Sequence, residues 1–113
     1  MRQKQLRFGL GFRVAFGNKY AQAAEMVLAA GETEGGPDNR HAGADQWMYV
    51  VSGRGRAKIE QKWVPLREGS LVLIERGETH EIRNTGRSPL RTVNFYVPPA
   101  YTAGGGELPA GKS

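Results

Sequence analysis

The 113 residues suffice for one domain with one modest core and leave no room for a second domain. Hydrophobic residues make up 39% and charged residues 24%, which excludes wholesale disorder, and no run approaches the roughly 20 apolar residues of a membrane-spanning helix. The formal net charge is +5, but the basic residues are scattered and no nucleic-acid-binding module is recognisable, so we favour a solvated basic surface or a basic pocket for an anionic small molecule.

The first half of the chain mixes strand and helix signals. Residues 6–16 carry apolar side chains at every even position, the period of a half-buried strand. Residues 21–30 are rich in Ala, Gln, Glu, Met and Leu, and their intrinsic propensity favours a helix. Residues 31–45 are rich in Gly and acidic residues and predict a loop, whereas the aromatic and β-branched run 47–51 predicts a strand.

The second half of the chain predicts only short strands. Residues 57–61 and 63–66 form a predicted hairpin, and further strands are predicted at 70–74, 79–83 and 90–97, separated by turn residues. Strands that recur every ten residues or so are typical of an antiparallel sandwich or barrel. After Pro98 and Pro99 the composition predicts a flexible Gly/Pro-rich tail, so we expect a barrel domain at 1–99 and a tail at 100–113.

Residues 69–84 contain a pattern of glycine, histidine and asparagine that resembles the second signature of the cupin superfamily, G-x5-P-x-G-x2-H-x3-N. Gly69, Gly77, His80 and Asn84 occupy its positions, and only the proline is changed, to Glu75. The first signature, G-x5-H-x-H-x3-4-E-x6-G, is met less fully: Asn39 stands at its first histidine, His41 at its second and Gln46 at its glutamate, and its leading glycine is absent.

The resemblance to cupins spans about residues 24–99 and implies an all-β fold, an antiparallel double-stranded β-helix or jelly-roll barrel. It implies a strand rather than a helix at residues 21–30, because tertiary context commonly overrides propensity. The alternation at 6–16 would add a further strand to this barrel.

The same positions predict a metal site. If residues 39–41 are extended, Asn39 and His41 point to the same side, and His80 arrives from a distant strand. The chain has no cysteine, so a metal must be held by nitrogen and oxygen, and His41, His80, Gln46 and Asn39 suit one divalent ion such as Zn, Fe, Mn, Ni or Co. The alternative is that the histidines are hydrogen-bonded fillers and that Asn39 caps a loop. We favour the metal because the only two histidines both occupy motif positions.

The expected activity follows from this uncharged ligand set. An ion held by neutral ligands keeps its full charge, so we expect a small-molecule enzyme that uses it as a Lewis acid on a sugar acid or similar anionic metabolite. Isomerase or tautomerase chemistry is favoured narrowly over a dioxygenase, and the alternative is a non-catalytic sensor or storage cupin. Candidate groups for binding the anion are Arg40, Arg54 and Arg83.

No residue is assigned a catalytic role from the sequence. Glu75, Glu78 and Glu81 flank His80, but turn glutamates are usually solvated. The aromatic residues Trp47, Tyr49, Trp63 and Tyr96 are interpreted as core or dimer-interface groups. We expect a cytoplasmic homodimer that binds a small molecule and neither nucleic acid nor membrane, and we rank a pure assembly module below the enzyme and the binding cupin.

Overall fold

A computed structural model describes residues 1–112 of the protein, except the side chains of Pro37 and Asp38. Within this part of the chain nine β-strands and one short 3₁₀ turn occur in the order β1 (Gly11–Gly17), β2 (Gln22–Leu28), β3 (Thr33–Arg40), β4 (Asp45–Ser52), β5 (Gly55–Ile59), β6 (Lys62–Leu66), β7 (Leu71–Ile74), β8 (Thr79–Asn84), β9 (Leu90–Val97) and the 3₁₀ turn Pro109–Gly111.

The strands form two antiparallel sheets. One sheet has the order β1-β2-β9-β4-β7 and the other has the order β3-β8-β5-β6. Side chains from both sheets meet in one apolar cluster, formed by Met26, Leu28, Met48, Val50, Ala57, Leu66, Ile82 and Leu90. Two sheets packed over a shared core confirm the predicted all-β barrel class.

Strand β2 lies where residue propensity alone favours a helix. It pairs with β1 on one side and with β9 on the other, so backbone groups along both of its edges enter sheet hydrogen bonds. Ala24, Met26 and Leu28 are buried against the core, and a central strand satisfies its backbone in a way that propensity does not describe. The strand implied by the cupin resemblance is therefore confirmed.

Two predictions made from local pattern are wrong. The N-terminal strand begins at Gly11 and not at residue 6, because Phe8 and Gly11 have φ angles of 53° and 104°, outside the extended region. The predicted loop 31–45 contains β3, which pairs only with β8, at the edge of its sheet. Its glycine-rich composition reflects an irregular register between Gly35 and Arg40 rather than the absence of a strand.

Residues 100–112, here called the C-terminal segment, fold back onto the barrel, and Ala100 and Gly111 are buried. The Ala42 N–H donates to the Lys112 carbonyl at 2.9 Å, and the Gly43 N–H donates to the Ala110 carbonyl at 3.1 Å. Composition predicts a loosely held tail, whereas these long-range contacts place the segment beside His41. None of the helices in residues 1–112 has the length and apolar character needed to cross a membrane.

Candidate metal centre

The pairing of β3 with β8 brings the two histidines together. Arg40 lies opposite Thr79 in this antiparallel pair, and the Asn39 side-chain nitrogen lies 3.2 Å from the Nε2 of His80. The ring centroids of His41 and His80 are 5.1 Å apart, and the two residues are only 6% and 4% exposed. Two imidazoles from distant parts of the sequence thus share one buried site.

The His41 ring is held on two sides by the C-terminal segment. Its Nδ1 lies 3.0 Å from the Gly111 carbonyl oxygen, and its Nε2 lies 3.4 Å from the Tyr101 hydroxyl. The ring of Tyr96 packs edge-on against it, with the centroids 5.3 Å apart. Because a carbonyl oxygen only accepts, Nδ1 carries the proton in this arrangement, and Nε2 of the neutral ring keeps its lone pair.

His80 is an uncharged, incompletely bonded histidine. Its Nε2 lies 3.2 Å from the side-chain nitrogen of Asn39, whereas its Nδ1 is buried without a hydrogen bond of ordinary geometry. Burial lowers the pKa of His80 to about 4, helped by the neighbouring His41 and opposed by the backbone of Glu78. The ring is therefore neutral near pH 7, the form that binds a metal.

Gln46 lies at the same end of the barrel interior as His41. It faces inward from β4, and it lies opposite Tyr96, whose ring contacts His41. Its Nε2 donates to the Asn94 side-chain oxygen at 2.8 Å, but its Oε1 is buried with no hydrogen-bond partner. A buried carbonyl oxygen without a hydrogen-bond partner lowers the stability of the fold unless a donor or an ion binds it.

A directional chain of hydrogen bonds explains this orientation of Gln46. The Thr92 hydroxyl donates to the Met26 carbonyl at 2.7 Å, and the Asn94 amide donates to the Thr92 oxygen at 3.0 Å. The remaining Asn94 oxygen needs a donor, which the Gln46 amide supplies. The chain thus requires N–H at position 46, and it leaves the Gln46 oxygen as the unsatisfied atom.

These residues suit a divalent ion. Contacts bring Asn39, His41 and His80 together, and Gln46 lies opposite Tyr96, whose ring contacts His41. Two imidazoles and a partnerless amide oxygen are ligands that borderline divalent ions accept, and Asn39 would offer its oxygen after a half-turn of its amide. Among the described residues there is no cluster of three or more His, Cys, Asp or Glu side chains suited to a metal, so the candidate centre depends on amides.

The three candidate arginines occupy different places. Arg40 is exposed at the end of β3, between Asn39 and His41 in the sequence. Arg54 contacts Gly86, near the opposite end of β8 from His80. Arg83 alternates with inward-facing Ile82 and contacts Glu81 at 2.6 Å, so it lies on the outer face of its sheet. Of the three, Arg40 lies nearest to a histidine along the chain, next to His41.

Two of the three glutamates considered as general bases, Glu78 and Glu81, are engaged elsewhere. Glu81 pairs with Arg83 on the outer face, and the Glu78 carboxylate accepts the Glu75 backbone N–H at 2.8 Å. The sequence analysis missed Tyr101, which lies in a Gly/Pro-rich segment without a motif. Burial, together with nearby Glu107, raises the pKa of Tyr101 to about 12, so its hydroxyl stays protonated at neutral pH.

Comparison with known proteins agrees with this fold. Residues 24–96 match the family model of the cupin domain. The chain is 30% identical to the uncharacterised protein YrkC of Bacillus subtilis over 82% of its own length, but it spans only 53% of that protein. It is 33% identical to an oxalate-binding protein of Thermotoga maritima, covering 74% of this chain and 67% of the relative.

A solved structure gives a similar result. The crystal structure of a predicted oxalate decarboxylase from Thermotoga maritima matches with a TM-score of 0.65 and 28% identity, over 72% of this chain and 69% of that one. The family model covers well over half of the chain, and the relatives share about 30% identity with it. The chain belongs to the cupin family.

Proposed function

We propose that the protein binds one divalent metal ion through His41, His80, Gln46 and Asn39 and acts with it on a small anionic metabolite. The observation that carries this proposal is the pair of buried histidines, 5.1 Å apart, at the same end of the barrel as the partnerless Gln46 oxygen. Hydrogen-bonded filler histidines would leave that oxygen and His80 Nδ1 unexplained.

The charge of the site favours an anion. No proposed ligand carries a negative charge, so the ion's charge would be uncompensated and would attract a carboxylate or an enolate. A divalent ion bound here would supply a Lewis acid that polarises a carbonyl or carboxylate group. The relatives named for oxalate support a small carboxylate as the ligand class, which includes the sugar acids expected from the sequence.

Tyr101 would contribute a hydrogen bond to this chemistry. Its hydroxyl lies 3.4 Å from His41 Nε2, close to where a ligand of the ion would lie. Because its pKa is raised to about 12, the hydroxyl can donate a hydrogen bond to a developing negative oxygen without ionising. Isomerisation or tautomerisation of a carboxylate-bearing substrate develops such a negative oxygen, and it is the reaction class that we favour.

The first experiment is elemental analysis of the protein purified without added metal, beside the double variant His41→Ala, His80→Ala. We expect near-stoichiometric metal in the parent and none in the variant, with circular dichroism showing that both are folded. Equal trace metal in both proteins would contradict the metal centre. The loaded protein is then screened by calorimetry and by turnover assays against oxalate and a panel of uronates.

A second candidate is ligand binding without turnover. Its support is that the Glu78 and Glu81 carboxylates, which flank His80 in the sequence, are bonded to a backbone N–H and to Arg83 respectively. Tight binding of a carboxylate with no product would favour this function. A dioxygenase, the third reaction considered, requires a redox-active ion and would be inactive with zinc.

We also propose that the protein is a homodimer. Large apolar side chains on the outer face of the five-stranded sheet are exposed and mutually adjacent, namely Trp47, Tyr49, Leu71, Leu73, Phe95 and Val97. An antiparallel sheet usually presents polar residues to water, so this apolar face fits a second copy of the chain.

A further inference from the structure

The C-terminal segment contacts the candidate metal centre through three successive residues. The carbonyl groups at positions 110, 111 and 112 accept hydrogen bonds from residues 41–43, which directly follow β3. The first bonds the Gly43 N–H, the second bonds the His41 ring and the third bonds the Ala42 N–H. The ring is therefore bonded as one member of a short ladder, and its orientation is coupled to the path of the C-terminal backbone.

This ladder selects one tautomer of His41. The Gly111 carbonyl lies 3.0 Å from Nδ1 and can only accept, so the proton resides on Nδ1. Nε2 then presents its lone pair toward Tyr101 and the second histidine. A backbone carbonyl that holds the far nitrogen of a histidine is the arrangement that orients metal-binding imidazoles and raises their basicity.

The sequence of the segment matches this close approach. A Cβ on Gly111 would overlap the backbone carbonyl of Ala100, which also accepts the Leu108 N–H at 2.8 Å. A Cβ on Gly43, on the other side of the ladder, would lie 3.0 Å from the Ala110 Cα. Because neither glycine has a side chain, the two segments can approach closely enough for the Gly111 carbonyl to reach His41. Neither glycine has a positive φ, so backbone conformation does not account for glycine at these positions.

From these contacts we propose that the turn Pro109–Gly111 is a positioning element, which sets the tautomer and orientation of His41 through the Gly111 carbonyl. The effect of this positioning on metal affinity rests on the proposed function, whereas the assignment of the tautomer does not. Loss of such a carbonyl partner lowers metal affinity by about 10- to 100-fold in comparable sites. The C-terminal segment is then part of the centre and not an appendage of the barrel.

The test uses two variants of the full chain, Gly111→Ala and Gly43→Ala, each of which should displace the Gly111 carbonyl from His41. Gly104→Ala is the matched control, because a Cβ there meets nothing within 4 Å. The first readout is the ¹⁵N spectrum of the imidazole rings in metal-free protein at pH 8, assigned with a His80→Gln variant. The second readout is the affinity for Co²⁺ by titration calorimetry.

We expect the parent and Gly104→Ala to show His41 protonated on Nδ1, and the other two variants to show mixed tautomers and weaker Co²⁺ binding by about 10- to 100-fold. An unchanged tautomer in folded Gly111→Ala and Gly43→Ala would overturn the proposal. A changed tautomer with parent-like affinity would support the positioning of His41 and contradict its consequence for metal affinity. A parent that shows the tautomer but binds no Co²⁺ would support the positioning of His41 and contradict the proposed metal function.

Discussion

The substitution Gln46→Glu tests why this chain carries an amide where the cupin signature has a carboxylate. The Asn94 oxygen needs a donor, because the Asn94 amide is already directed at Thr92. An ionised carboxylate cannot donate, so two acceptors would face each other in a buried position. The introduced carboxyl therefore has to take up a proton for the metal-free protein to fold without this conflict.

The magnitude follows from the cost of that proton. A glutamic acid side chain has an ordinary pKa near 4.3, so keeping it neutral at pH 7 costs about 3 to 4 kcal/mol of folding free energy. This is an upper value, because the loss is smaller if the folded protein tolerates the ionised carboxylate at a lower cost. The folded state binds the extra proton, so the penalty grows as pH rises and fades as pH falls toward about 4. Divalent metal should reverse the effect, because a carboxylate is the stronger ligand.

The assay is urea unfolding of metal-free parent and variant at pH 5 and pH 7, repeated with Co²⁺. The matched control is Gln61→Glu, which makes the same change on the exposed turn between β5 and β6. We expect the control to match the parent at both pH values. A Gln46→Glu protein as stable as the parent at pH 7 without metal would refute the donor requirement, and weaker Co²⁺ binding than the parent would refute Gln46 as a ligand.

Three further predictions concern the site and its surroundings. In metal-free protein the His80 ring should titrate near pH 4 by NMR, and a midpoint near 6.5 would contradict this. The free energy of unfolding should fall as pH drops from about 6.5 toward 4, because only the unfolded histidine takes up a proton in that range. Replacing Asn94 by Leu should leave the Gln46 amide without its acceptor, costing about 1 to 3 kcal/mol in urea unfolding, and an unchanged midpoint would contradict the polar chain. Trp47→Glu should yield a monomer by light scattering, whereas Trp63→Glu, on the other sheet, should not; a Trp47→Glu dimer would place the interface elsewhere.

Local patterns in the sequence determined much of the barrel and the chemistry of its site. The hairpin of β5 and β6 and the strands β7, β8 and β9 lie where alternation and turn residues predict them, because each turn and period is encoded within a few residues. The spacing from Gly69 to Asn84 identified His80 by the same kind of local order. The residue types alone predicted a site built of imidazoles and amides, since the chain has two histidines and no cysteine.

Tertiary structure decided what no local pattern contains. β2 is a strand because β1 and β9 satisfy its backbone on both sides, and β3 is a strand because β8 supplies its partner despite a loop-like composition. The contacts of His41 with Tyr101 and Gly111 join residues 60 and 70 positions apart, through carbonyl and hydroxyl groups that almost any sequence could supply. Backbone carbonyls have no signature in a sequence, so only the folded path of the chain determines which of them reaches a histidine.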